Sequence, residues 1–349
     1  MKNVAVLMAG GRGQRFWPHS RFDTPKQLLS ITGGNSMIRD TVNRILSLID
    51  LSDIFISTTE DLFNSIKEAL PEVDYLNYIL EPVGRDTAAC IGLAAIIIEH
   101  RYKDPDTTMI TLPIDHIIDE KEIFLQTIKM ACQLARETRN LITIGIKPTR
   151  PETGYGYICL GEEVKRINSI TAYKVKEFTE KPNLETAKKF INKTNYLWNS
   201  GIFIWTCRDI LKAIEKELPN LYKGLMKIKD NLGTLQKREV VKEVFYGLEK
   251  ISIDYAVMER VPNRLVVKGN FKWDDVGSWT SMERIFPRDK DGNVIQGTHE
   301  GVDTRDCIII NDEGLIVTIG LSDLVIVSSG DIKLIYPKNR EGDLKEIIK

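Results

Sequence analysis

"VLMAGGRGQRFWPHSRFDTPKQ", residues 6–27, sets Gly10, Gly11 and Gly13 among Arg12, Arg15, Arg21 and Lys26, directly behind a short apolar run. Glycine has no Cβ and reaches positive φ, so successive N–H groups can turn toward one anion. Arg15 and Lys26 would add charge-assisted bonds to phosphate oxygens. Spacing excludes two common recipes. A Walker loop needs G-x-x-x-x-G-K-[ST], and no Lys-Ser or Lys-Thr follows a glycine at that distance. A dinucleotide fingerprint needs G-x-G-x-x-G, and Phe16 stands where the third glycine belongs. The stretch reads as a phosphate loop of another kind, or as a tight turn with solvated cations around it.

Outward from this loop, the first 150 residues alternate strand and helix. Val4–Met8 reads as a buried strand and 36–49 as an amphipathic helix. "DIFIST" (53–58) is a strand, Glu60–Leu70 a helix stopped by Pro71, and "YLNYIL" (75–80) a third strand. Residues 87–101 form a helix apolar around most of its circumference. "TTMITLP" (107–113) and "LITIGI" (141–146) are strands on either side of a helix over Glu122–Glu137. This alternation predicts an α/β fold with a mostly parallel, doubly wound sheet, whose ligands bind at the carboxyl ends of the strands. Residues 150–285 mix strands with helices and shape a second pocket. Beyond 286, "CIIIN", "LIVTIG", "LVIVSSG" and "IKLIYP" recur every eight or nine residues, as in a small all-β module or solenoid.

A chain of 349 residues with a net charge of −1 has room for a large core and no general affinity for nucleic acid. The basic loop is local and suits a small anion. Cys90, Cys132, Cys159, Cys207 and Cys307 are scattered without a C-x-x-C pair, which predicts buried, reduced thiols in a cytoplasmic protein. No stretch approaches the ~20 apolar residues of a membrane span, and the N-terminal apolar run is too short for a signal peptide.

Several further stretches carry chemistry. Asp115 follows an apolar strand, and Asp275 lies in "KWDDVGSW"; two hard oxygen ligands plus phosphate oxygens suit Mg²⁺, although either acid alone more often caps a turn. In "EPVGRDTAA" (81–89), Thr87 is placed to cap the next helix. One carboxylate there, Glu81 or Asp86, can accept the adjacent N1–H and amine donors of guanine, whereas adenine offers an acceptor at N1. "PTRPETGYGYI" (148–158), "FTEKP" (178–182) and "WNSGIF" (198–203) combine polar groups with aromatics, as a polyhydroxylated ligand requires.

Taken in order, these motifs resemble those of the sugar-phosphate nucleotidyltransferases over residues 7 to 279, and the tail looks similar too. The resemblance implies a Rossmann-like mixed, mostly parallel sheet flanked by helices. It implies a catalytic domain over 1–285 and a small left-handed β-helix-like domain over 286–349. The implied reaction joins GTP and α-D-mannose 1-phosphate into GDP-mannose and pyrophosphate; rival readings are a glucose or heptose 1-phosphate, or a non-catalytic nucleotide sensor. Carried over by motif, Arg15, Lys26, Asp115 and Lys181 are the catalytic residues. Ala9, Gly10, Gly11, Gly13 and Arg15 would hold the triphosphate, and Glu81, Pro82, Gly84, Arg85, Asp86 and Thr87 the guanosine, with Asp115 beside the nucleotide. Gly154, Tyr155, Glu180 and Asn199 would meet the sugar, Lys181 its phosphate, and Asp115 and Asp275 would ligate Mg²⁺. The resemblance also implies a homodimer. Arg12, Gln14, His19 and Asp86 depart from the family pattern. The sequence stops where longer relatives continue into a phosphomannose isomerase domain, so isomerase activity is not expected.

Overall fold

The computed structural model describes residues 2–11, 13–21 and 24–348. Arg12 of the glycine loop lies outside the described residues. The chain falls into two compact units: Met1–Gly10, Arg39–Ile114 and Ile118–Trp273 form the first, and Gly11–Ile38, Asp115–Ile117 and Asp274–Lys349 the second.

In chain order the strands up to residue 274 are β1 (Asn3–Met8), β2 (Ile54–Thr59), β3 (Tyr78–Glu81), β4 (Thr108–Pro113), the two-residue β5 (Ile117–Ile118), β6 (Leu141–Ile146), β7 (Tyr157–Ile167), β8 (Ile170–Thr179), β9 (Tyr196–Thr206), β10 (Arg264–Gly269) and the two-residue β11 (Trp273–Asp274). Nine of them build the sheet of the first unit in the order β3-β2-β1-β4-β9-β6-β10-β8-β7. β1 pairs in parallel with both β2 and β4, and β9 runs antiparallel to β4 and β6. The sheet is therefore mixed, with only β8 and β9 running against the rest.

Both faces of the central strands are covered: every residue of β2 and β6 is buried, and β6 (LITIGI) reads as a nearly continuous apolar run, whereas β2 (IFISTT) ends in three hydroxyl residues. The principal helices are α1 (Met37–Ile45), α2 (Phe63–Ala69), α3 (Asp86–Tyr102), α4 (Lys121–Thr138), α5 (Leu184–Ile191), α6 (Cys207–Glu217), α7 (Pro219–Lys229) and α8 (Lys237–Gly247). α3 is buried on several sides, and Ile91, Leu93 and Ile98 join Phe203, Trp205, Leu225 and Phe245 in one core. The connection after β1 turns outward to β2, whereas the one after β3 returns across β1 to β4. This reversal of order puts the ends of β1 and β4 side by side, where open α/β sheets leave a crevice.

Two expected elements differ. Residues 75–80 are not one strand: Tyr75–Asn77 form a 3₁₀ turn, because the Asp74 carboxylate accepts the Leu76 N–H at 2.8 Å and offers the backbone a local partner. The helix expected over 36–49 is regular only to Ile45, and Leu48 N–H then bonds back three residues to Ile45.

The second unit contains β12 (Val294–Gln296), β13 (His299–Val302), β14 (Ile308–Asn311), β15 (Ile316–Ile319), β16 (Leu324–Ser329) and β17 (Ile332–Pro337). β12, β14 and β16 stack in parallel, as do β13 and β15, and β17 closes the stack antiparallel. These are the rungs of a β-helix, two more than the four runs read from sequence. Ile308, Ile310, Val325 and Val327 point into a core shared with Phe16, Val276 and Trp279. The glycine loop from Gly11 onward and the β-helix thus fold around one hydrophobic centre. All five cysteines are buried and free, as expected.

Candidate active site

In the second unit the loop is organised around Lys26. Gly13 sits at φ 61°, and a Cβ there would fall 2.1 Å from Lys26 Cβ, so only glycine lets the two segments meet. Gly10 and Gly11 are different: no atom of the described residues lies within 4 Å of the Cβ each lacks. Gln27 Nε2 fixes the loop by donating to Gly11 O at 2.8 Å.

Lys26 is buried, and its ammonium donates to Asp115 Oδ2 at 2.8 Å, Asp275 O at 3.0 Å and Asp115 O at 3.3 Å. Those three acceptors match the three hydrogens of the ammonium. Burial pushes the Asp115 carboxyl up, but the Lys26 charge, His116 and hydrogen bonding together hold it below the ordinary value of 3.8. Asp115 is an anion at neutral pH, with its side chain 39% exposed.

The turn carrying Asp275 is held from below. Arg284 grips Asp274 with Nε to Oδ2 at 2.5 Å and Nη2 to Oδ1 at 2.8 Å. Val276 has φ 45°, a strained value for a β-branched residue, and its N–H bonds Asp274 Oδ1. Asp274 is thereby committed to structure, while the carboxylate oxygens of Asp275 lie 3.1 and 3.5 Å from where a Gly277 Cβ would stand. Arg15 Nη1 lies 3.6 Å from the same point. Five of the residues expected at the phosphates (Gly11, Gly13, Arg15, Lys26 and Asp115) and the second expected metal ligand, Asp275, therefore belong to one unit.

Among the described residues no three His, Cys, Asp or Glu side chains are grouped to hold a metal. Asp115 and Asp275 supply hard oxygen donors, which suit a divalent ion of the Mg²⁺ type when phosphate oxygens complete its shell.

The first unit carries the other expected residues in two groups. Ala9 is buried, its N–H bonding Ser57 O at 2.7 Å and its carbonyl accepting Thr58 Oγ1 at 3.0 Å. Glu81 is buried with Oε1 3.3 Å from Ser57 Oγ, and burial pushes its pKa up to about 7. Asp86 and Gly84 are exposed, and Pro82 is half-buried. Arg85 donates to the carbonyls of Phe245 and Tyr246, each at 2.7 Å. Thr87 does not cap α3 as expected. The helix begins one residue earlier, and the Thr87 hydroxyl instead accepts Ile253 N–H at 2.8 Å.

The second group gathers around Glu180. Its Oε1 pairs with Lys181 Nζ at 3.2 Å, while Oε2 is buried with no hydrogen-bond partner among the described residues. A Cβ on Gly156 would fall 2.4 Å from that oxygen, so the glycine of "TGYGY" is what makes room for it. Burial, then the neighbouring Asp254, push Glu180 up to about 7. Burial lowers the Lys181 ammonium, but Glu180, Asp254 and Tyr255 outweigh it and hold its pKa above that of an ordinary lysine. Gly154 N–H bonds Glu152 Oε1 at 3.1 Å, and the Tyr155 ring packs edge-on against Trp198 at 5.2 Å. Asn199 donates to Asp254 Oδ1 at 2.7 Å. Sequence reading missed Asp254; its only signal was one acid inside the apolar run "ISIDYAVM".

Comparison with known proteins shows which family the chain resembles. The Nucleotidyl transferase family profile matches residues 4–292, and the MannoseP isomerase/GMP-like beta-helix domain matches 297–349. A mannose-1-phosphate guanylyltransferase of Escherichia coli is 36% identical over 348 residues, covering 99% of this chain and 75% of its own. One of Salmonella muenchen is 37% identical, with coverage of 99% and 73%. A solved structure described as mannose-1-phosphate geranyltransferase from Thermus thermophilus superposes with a TM-score of 0.87 at 34% identity, over 100% of this chain and 98% of that one. Another, described as mannose-6-phosphate isomerase from Helicobacter pylori, gives 0.63 at 26% identity over 78% of this chain and all of its own. The chain belongs to the nucleotidyl transferase family and, within it, to the mannose-1-phosphate guanylyltransferases.

Proposed function

We propose that the protein transfers GMP from GTP to α-D-mannose 1-phosphate, giving GDP-mannose and pyrophosphate, with Lys26, Asp115 and Asp275 at the reacting phosphates. The observation that carries the site assignment is the buried Lys26 ammonium, which ties Asp115 to the Asp275 segment across 89 and 249 residues of sequence. Membership among the guanylyltransferases supports the reaction itself.

The acceptor is already an ionised phosphate, so the chain need supply no nucleophile and no strong base. An oxygen of mannose 1-phosphate forms a bond to the α-phosphorus of GTP. The bond from that phosphorus to the β-phosphate oxygen breaks, and its electron pair leaves with pyrophosphate. Catalysis is positioning and offset of charge. The backbone of Gly10, Gly11 and Gly13 receives the triphosphate, and Arg15 adds a cation. Lys26 holds Asp115 ionised and in place. Lys181 neutralises the sugar phosphate. Asp115 and Asp275 would hold the divalent ion, taken as Mg²⁺, which when bound polarises phosphate oxygens and offsets their charge. Of the two acids considered for the base, the exposed Asp86 suits guanine recognition better than Glu81, which is buried against Ser57.

Among the described residues no helix is long and apolar enough to cross a membrane. A cytoplasmic homodimer acting on small molecules, without nucleic acid, completes the proposal. Pyrophosphate release, measured with GTP, ATP, UTP and dTTP against mannose, glucose and heptose 1-phosphates, tests it. The expected result is fastest turnover with GTP and mannose 1-phosphate; faster turnover of another pair, or none, overturns it.

A further inference from the structure

The proposed reaction leaves unused a second concavity of the first unit, a groove of about 570 Å³ beside β3, the outermost strand of the sheet. Phe63, Tyr75 and Tyr78 line it as one aromatic cluster, Phe63 standing edge-on to Tyr75 at 5.6 Å and to Tyr78 at 5.2 Å. Leu93 and Ile97 of α3 and Val241 of α8 add aliphatic surface. These groups are not sealed as a core would be: Tyr75 is 61% exposed and Leu76 beside it 73%. Adjacent large apolar side chains left in water on a concave surface are explained by an occupant that covers them.

The charges of α8 say what kind of occupant. Lys237, Arg238, Val241 and Lys242 line the groove and, at 3.6 residues per turn, share an arc of about 140°. Glu239 and Glu243 project from the remaining arc, Glu243 to an ion pair with Lys227 of α7 at 2.7 Å. The helix thus sorts its charges, cations toward the groove and acids away. Glu60 is the one acid lining the groove among the described residues, and it lies 3.4 Å from Arg238. Neither Lys237 nor Lys242 has an ion pair with a described residue. A concavity of this size holds one small molecule, and these walls suit a flat ring carrying negative charge. A nucleotide has both: its base stacks beside Tyr75 and Leu76, and its phosphates meet the cations. The lining offers no side-chain amide, and its single carboxylate is paired with Arg238, so the base edge goes unread.

The groove adjoins the loop assigned to guanosine without being that site. Leu93 and Ile97 lie seven and eleven residues beyond Asp86, about 10 and 16 Å along α3. Leu80 and Pro82 line the groove, and the chain runs directly from them to Asp86. α8 touches both places. Its first half lines the groove, while the carbonyls of Phe245 and Tyr246 near its end receive Arg85, each at 2.7 Å.

We propose that this groove is a second nucleotide site, indifferent to the base, whose occupant changes the affinity for GTP through α8 and Arg85. The binding stands on the groove alone; the coupling rests on the assignment of residues 81–87 to the guanosine.

Calorimetric titration of the full-length protein with ADP, whose base the guanosine loop is not expected to favour, tests the binding. ADP should bind the parent, and the double variant Arg238→Glu/Lys242→Glu should bind it about tenfold more weakly or worse. Adenosine, which lacks the phosphates, should lose a similar factor on the parent. Tyr75→Ala should weaken ADP about 5- to 100-fold, the range for losing one base–aromatic stack, and serves as the second variant should the double one fail to fold by circular dichroism. Without ADP, both variants should keep KM for GTP within about twofold of the parent's, since neither touches the catalytic residues. Saturating ADP should shift the parent's KM for GTP by about fivefold or more and leave that of the double variant unmoved. Equal ADP affinity in parent and double variant, or an equal effect of ADP on their kinetics, puts the nucleotide in the catalytic crevice and overturns the inference. ADP bound in the groove with KM for GTP unchanged overturns the coupling. If no substrate pair is turned over, the proposed function fails by itself, and the ADP affinities still decide the second site.

Discussion

Lys26 Nζ lies 2.8 Å from Asp115 Oδ2 and 3.0 Å from the backbone oxygen of Asp275. One buried cation thus sets the positions of both acids assigned to the metal, and the ring of Phe16 closes over it at 5.5 Å. Replacing Lys26 by Met keeps most of the volume and removes the charge. Turnover should fall roughly 10²–10³-fold, the scale of losing one preorganised electrostatic contact, and Asp115→Asn should do the same. Near-parent kcat in either folded variant contradicts the assignment. The pair also has a pH signature. Asp115 is held below 3.8, so what the Lys26 contact adds to stability is present above that value and is lost as pH falls through the lower folded pKa. The stability gap between parent and Lys26→Met in urea titrations should accordingly close at acid pH and stay open from pH 5 to 8.

Gly13 and Gly10 make a matched test of the loop. At Gly13 an added Cβ meets Lys26 Cβ at 2.1 Å and the backbone has φ 61°, so Gly13→Ala should cost about 1–3 kcal/mol of stability along with activity. Gly10→Ala meets no described residue within 4 Å. It should leave Tm nearly unchanged and raise KM for GTP. A Gly10→Ala enzyme with parental KM would show that the triphosphate does not approach that backbone.

The C-terminal segment supports the Asp275 turn. Glu341 accepts from Ser278 Oγ at 2.6 Å, Thr280 Oγ1 at 2.8 Å and Thr280 N–H at 3.1 Å. Glu341→Ala should lower kcat by about tenfold or more while leaving both KM values near the parent's, since it loosens the "DVGSW" turn without touching substrate. Unchanged kcat would separate the β-helix from catalysis.

Base choice divides Asp86 from Glu81. Asp86→Asn should relax the preference for GTP over ATP, whereas Glu81→Gln should leave it intact. Glu81 has a stability signature instead. Its pKa is raised to about 7 by burial, so its contribution is fully present below the ordinary 4.5 and is lost as pH rises through 7. The shift corresponds to about 3 kcal/mol at most. Glu81→Gln should flatten the decline in stability between pH 5 and 8, followed by chemical denaturation. A variant that declines as steeply as the parent would place that titration elsewhere.

The residues differ in how far their sequence neighbourhood announces them. The glycine loop was legible because its constraint is local: Gly13 adopts positive φ and Asp115 lies two residues beyond the end of β4. In the central sheet, β6 was legible because burial on both faces leaves a nearly continuous apolar run. The 3₁₀ turn at Tyr75–Asn77 was hidden, since an Asp74 side-chain bond overrode the apolar pattern. What Lys26 does was also hidden: its three acceptors come from segments 89 and 249 residues away, and only tertiary packing shows the ammonium saturated. Asp254 was hidden for the same reason. Its partners Asn199 and Glu180 are 55 and 74 residues distant, and a single acid in an apolar run looks like a solvated position.

Crystals grown with GTP and Mn²⁺, whose anomalous scattering locates the ion without reference to the protein, test the central claim most directly. The account predicts one anomalous peak within about 2.3 Å of carboxylate oxygens from both Asp115 and Asp275, with triphosphate oxygens completing the shell. A peak bound to neither acid, or a triphosphate lying away from the backbone of Gly10, Gly11 and Gly13, would contradict it.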